Sequence, residues 1–114
     1  MKFSIMDKEE VVYKIHSYLD LPENWDSYGG IAPTSENVEF VEKVVDKFPD
    51  NLYFCCPGPN GEIEVDWRVG NLEIEVFFMV GDNHILIYDK LEGLYLYDGK
   101  FDESVLKKFL DDLS

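Results

Sequence analysis

Positive charge is what this sequence has least of. Ten Lys and Arg stand against 24 Asp and Glu in 114 residues, a formal net charge of −14 at pH 7. That deficit argues against binding DNA, RNA or an anionic membrane surface, each of which needs a basic face. Cysteine is nearly absent: Cys55 and Cys56 are chain neighbours that cannot form a normal bridge across the fold. No apolar run approaches the roughly 18 residues of a membrane span. Acids at Asp7, Glu9 and Glu10 arrive too early for a secretory signal. The expectation is a reduced, cytoplasmic protein. His16 and His84 complete the soft ligands, and neither they nor the cysteines show zinc-type spacing. A D-x-D-x-D-G calcium loop, a phosphate-cradling glycine motif and a nucleophile placed beside His84 are also missing. Neither a metal, a cofactor nor an enzymatic activity is expected.

Apolar surface, by contrast, is ample. Hydrophobic residues make up 46% and aromatics 15% of the chain, enough for a packed core and against intrinsic disorder. Residues 1–114 read as one acidic domain. Val11, Val12, Ile15, Tyr18 and Leu19 recur at helical spacing behind Asp7, which caps the segment with Glu10 three residues on and Met6 as a staple. A loop from Asp20 to Pro33 holds Trp25, Tyr28 and the Gly29-Gly30 pair. Trp25 and Tyr28 are expected to pack onto the domain as anchors, with one of the two glycines at positive φ. Thr34 caps a second helix carrying Val38, Val41, Val44, Val45 and Phe48, which Pro49 stops.

From Asn51 the apolar period changes to two. Leu52–Cys56 is a first strand. Glu62–Val69 and Leu72–Val80 form a hairpin on Gly70-Asn71, which sets Trp67 opposite Ile74 on one face and Asp66 opposite Glu75 on the other. His84–Asp89 and Leu94–Asp98 follow. Asp102 then caps a last helix with the stripe Val105, Leu106, Phe109, Leu110 and Leu113. Short turns force antiparallel neighbours. The predicted fold is α+β in the order α-α-β-β-β-β-β-α, a five-stranded antiparallel meander with helices packed on one face.

The far face of that sheet is the candidate site. Glu62, Glu64 and Asp66 alternate along one strand and Glu73 and Glu75 along the next, so all five are expected to be exposed. Carboxylates at i and i+2 lie about 6.6–6.8 Å apart, about twice the phosphate rise along one DNA strand. Such rows would stand in for a phosphate backbone towards a Lys/Arg groove. Asp66 opposite Glu75 is destabilising in itself, which hints that the face is used. Phe77, Tyr95 and Tyr97 are expected on or beside this face as aromatic anchors among the charges.

The stretch Leu21-Pro22-Glu23-Asn24-Trp25-Asp26-Ser27-Tyr28-Gly29-Gly30-Ile31-Ala32-Pro33 resembles a W-D-x-Y-G-(A/G)-x-x-P loop of small bacterial and phage accessory proteins. Pro59-Asn60-Gly61-Glu62-Ile63-Glu64-Val65-Asp66-Trp67 resembles the P-x-G-x-I-x-(L/V)-(E/D)-W strand that follows it there. The resemblance covers residues 21–67, implies a bacterial host cell, and carries no assigned activity and no catalytic residues. Composition adds a likeness to acidic anti-CRISPR and anti-restriction inhibitors. At about 6,500 Å² of surface there is one net negative charge per about 460 Å², well beyond what solubility needs. The expected function is a non-enzymatic inhibitor, monomer or homodimer, that binds a basic nucleic-acid-handling protein. Alternatives are an antitoxin or immunity protein against a basic toxin, or a small ligand-binding domain.

Overall fold

In the computed structural model, which describes residues 6–112, capping fixes where the helices begin. Asp7 accepts a hydrogen bond from the Glu10 amide at 2.8 Å and starts α1, Lys8–Ser17, which runs into a 3-10 turn at Tyr18–Asp20. Thr34 Oγ1 accepts from the Asn37 amide at 3.1 Å and starts α2, Ser35–Lys47. Asp102 Oδ1 accepts from the Ser104 amide at 2.8 Å and starts α3, Glu103–Asp112. These side chains satisfy donors that the first turn of a helix leaves unpaired. Among the described residues, no helix is long and apolar enough to cross a membrane.

The strands are β1, Leu52–Pro57; β2, Ile63–Val69; β3, Leu72–Phe78; β4, His84–Asp89; and β5, Leu94–Lys100. They form one antiparallel sheet in the order β1-β2-β3-β4-β5. The predicted α+β meander is therefore present, with all three helices contributing to one core. In the hairpin, Trp67 pairs with Ile74, Val65 with Val76, Asp66 with Glu75 and Arg68 with Glu73, the register expected from alternation. Gly70 supplies the positive φ, +57°, that the two-residue turn requires.

Helix and sheet meet through Val11, Ile15, Val38, Val41, Val44, Trp67, Ile74, Ile87, Leu106 and their neighbours, all buried. Trp67 has no exposed surface, and its Nε1 donates to the Phe48 carbonyl at 3.0 Å, occupying an acceptor at the end of α2. Met6 is buried as the staple position predicts. Leu113, expected in the α3 stripe, lies outside the described residues.

Asn37, buried at the start of α2, donates through Nδ2 to Gly61 O at 3.1 Å and Phe78 O at 2.9 Å, tying the helix to the turn before β2 and to the end of β3. The loop before α2 is folded on itself: Asp26 Oδ1 accepts from the amides of Tyr28 and Gly30, and Asn24 N donates to Gly30 O at 2.8 Å. Gly29 has φ +84°, as one of the pair should. Trp25 is half-buried with Nε1 donating to Ile31 O. Tyr28 departs from expectation. It is 91% exposed, because backbone and Asx hydrogen bonds hold this loop without any help from its ring.

Candidate functional site

Because α1, α2 and α3 share one side of the sheet, its other side has no helical cover among the described residues. Alternation and pairing place on it Phe54 and Cys56 from β1, Glu64, Asp66 and Arg68 from β2, and Glu73, Glu75 and Phe77 from β3. His84, Leu86 and Tyr88 from β4 and Tyr95, Asp98 and Lys100 from β5 complete it. Two irregularities modify the pattern. A register shift between Leu52 and Phe54 also brings Tyr53 to this side, where its ring lies 4.2 Å from the Arg68 guanidinium. A second shift, between Ile87 and Tyr88, pairs Tyr88 with Tyr95 and Ile87 with Tyr97.

That second bulge corrects one expectation. Tyr95 is on the open face, 61% exposed and 5.0 Å from the Tyr88 ring. Tyr97 is not. The extra residue, Leu96, reverses the alternation, so Tyr97 follows Ile87 to the helix side and packs against the core. Phe77 is half-buried on the open face beside Glu64 and His84, as expected.

The acids depart further from their expected exposure. None of Glu62, Glu64, Asp66, Glu73 and Glu75 is fully exposed, and Asp66 is buried at 5%. Alternation assigns a side chain to a face but does not set its depth. Asp66 sits on a central strand between Phe54 on one side and Glu75 on the other, and cross-strand neighbours about 4.5–5.5 Å away shut out water. Glu62 precedes β2, and its Oε1 turns back to accept from the Asn60 amide at 3.3 Å. A Cβ at Gly58 would fall 1.8 Å from that oxygen, so any larger residue there would displace the Glu62 side chain. Glu73 Oε2 is held by Arg68 at 2.6 Å. The expected phosphate-like row is therefore broken at Glu62, sunk at Asp66 and paired at Glu73.

What remains is a tight carboxylate group at the middle of the face. One oxygen from each of Glu64, Asp66 and Glu75 lies within 4.8 Å of the others. Asp66 Oδ1 is buried without a hydrogen-bond partner. Burial, then hydrogen bonding and repulsion from Glu64 and the charge of Glu75, push the Asp66 carboxyl up to about 9. Burial and Glu64 likewise raise Glu75. Cys56, opposite Glu64, is pushed up to about 11 by burial and then by the neighbouring carboxylates, so its thiol stays protonated and unreactive. Cys55 is buried on the core side, where the Tyr18 hydroxyl donates to its sulfur at 3.4 Å. His84 Nε2 lies 2.6 Å from Asp98 Oδ1 on the open face, a cross-strand pair.

Sequence reasoning missed Tyr53, Phe54, Leu86 and Tyr88 as members of this face. Leu86 and Tyr88 were legible from the alternation of β4; Tyr53 and Phe54 depend on a bulge that no residue pattern announces. No family model, curated protein or solved structure matches the chain.

Proposed function

We propose that this protein is a non-enzymatic acidic inhibitor that binds a basic, nucleic-acid-handling protein through the open face of its sheet. The observation carrying the reading is one five-stranded sheet whose helix-free side bears Phe54, Phe77, Leu86, Tyr88 and Tyr95 among carboxylates. Aromatic side chains supply buried area on docking, and the charge of −14 supplies long-range steering towards a basic partner. The broken acid row shifts emphasis from a ladder of phosphate substitutes to aromatic anchors rimmed by charge. The acidic composition supports an anti-CRISPR-like or anti-restriction role, and the resemblance of residues 21–67 to phage and bacterial accessory proteins supports a place in the cytoplasm of a bacterial host.

The test is inhibition of a purified nucleic-acid-handling effector, with and without its nucleic acid pre-bound. Competition with the nucleic acid is the expected result. Neutralisation of a basic toxin, with no effect on any such effector, would replace this reading by the antitoxin one.

A further inference from the structure

Three carboxyl groups packed together on a half-dry sheet face repel one another when ionised, relieved in part by a hydrogen bond between Asp66 and Glu64 and by the charge of Arg68. Arg68, two residues from Asp66 on β2, is engaged elsewhere: its Nη1 is 2.6 Å from Glu73 Oε2 and its guanidinium stacks on Tyr53. Asp66 is 95% removed from solvent with Oδ1 unpartnered, and that carboxylate is part of the cluster. A buried acceptor with no donor carries an uncompensated desolvation cost. A small ion seated among the three carboxylates would bring positive charge to the most deeply buried of them.

We propose that Glu64, Asp66 and Glu75 form a binding site for one hard divalent cation of the Ca²⁺, Mn²⁺ or Mg²⁺ class. All three donors are carboxylate oxygens, the chemistry these ions select. Ion–oxygen distances of about 2.0–2.6 Å place ligand oxygens no more than about 4.0–5.2 Å apart across an ion. The 4.8 Å limit on the cluster falls within that span. Because the ligands stand on one side of a sheet, they cap one hemisphere of the ion and leave the other to water. Cross-strand neighbours Phe54, Cys56, Phe77 and Leu86 flank the three and hold them in place. The ion ties β2 to β3 across the Asp66–Glu75 pair. This inference rests on the cluster and on the buried Asp66 oxygen, and is independent of any protein partner.

The test titrates chelator-stripped full-length protein with CaCl₂, MnCl₂ and MgCl₂ separately, by calorimetry and by thermal melting. The expected result is one saturable site with a raised melting temperature for at least one ion. Affinity should fall roughly tenfold or more in Asp66→Asn and in Glu75→Gln, and stay unchanged in Glu42→Gln on α2. In wild-type protein, Mn²⁺ should broaden the amide signals of 64–66 and 74–76 and spare those of α1. Should Asp66→Asn fail to fold, Glu75→Gln and the Mn²⁺ broadening decide. The proposal is overturned by the absence of saturable binding up to millimolar concentrations. Binding that survives both cluster variants, or diffuse broadening over all acidic surfaces, overturns it equally.

Discussion

On the helix side of the sheet, Trp67, Ile74 and Ile87 lie side by side with no exposed surface. One residue earlier on β2 and β4, and one later on β3, the other side presents Asp66, Glu75 and Leu86 in the same cross-strand line. Both lines share a backbone and a register; the first is wholly buried, and in the second Asp66 is buried while Glu75 and Leu86 are half-buried. The first is satisfied by apolar contact and by the single hydrogen bond from Trp67 to Phe48. The second holds a buried carboxyl with an orphaned oxygen and a like-charged neighbour. Burial alone therefore does not make a core. An open sheet face can bury a group as deeply as a helix does, and what it buries there shows where the fold has accepted a cost.

Breaking the helix side should produce the largest effect. Trp67→Ala removes a fully buried indole and its hydrogen bond, and about 3–5 kcal/mol of stability should be lost in chemical denaturation. A loss near 1 kcal/mol would mean the two faces are more alike than their contacts indicate. On the open side the sign should reverse. In cation-free buffer near pH 8, Asp66→Asn should gain about 1–3 kcal/mol by removing a carboxyl that must take up a proton to be buried. The pH dependence follows the same logic. The folded Asp66 carboxyl titrates near 9 against 3.8 for the ordinary value, so the folded state binds the extra proton between them. Stability from this group is full below about pH 4 and is lost as pH rises towards 9. Asp66→Asn should flatten that slope relative to wild type, as read by melting temperature across the range.

Smaller effects sharpen the contrast. Tyr95→Ala removes one ring of an exposed pair and should cost about 0.5–1.5 kcal/mol. Tyr28→Ala, on a loop held by its backbone and by Asp26, should change stability by less than about 0.5 kcal/mol.

The sequence made the hairpin legible because two independent signals agree there: a two-residue turn at Gly70-Asn71 and strict alternation on both flanking strands. The helix starts were legible because Asp7, Thr34 and Asp102 each cap by a local rule. The candidate face was legible as a face, through Glu64, Glu75 and Phe77. Depth was not, since that of Asp66 depends on the cross-strand neighbours Phe54 and Glu75, which the pattern of its own strand does not reveal. Tyr97 was misplaced because one bulged residue, Leu96, reverses the side on which everything after it falls. Tyr28 was misjudged because an aromatic ring in a loop looks like an anchor until the hydrogen bonds that do the holding are visible.

The central claim, that the open face is the working face, is tested most directly by binding kinetics against a basic nucleic-acid-handling effector at several salt concentrations. Three proteins suffice: wild type, the Phe54→Ser/Tyr95→Ser double variant on the open face, and Tyr13→Ser on the exposed side of α1. Association should slow steeply with salt for all three, as exposed charges are screened within about 8 Å at physiological ionic strength. Dissociation should speed at least about tenfold in the open-face variant alone. Faster dissociation from Tyr13→Ser, with the double variant unchanged, would place the interface on the helices and contradict the account.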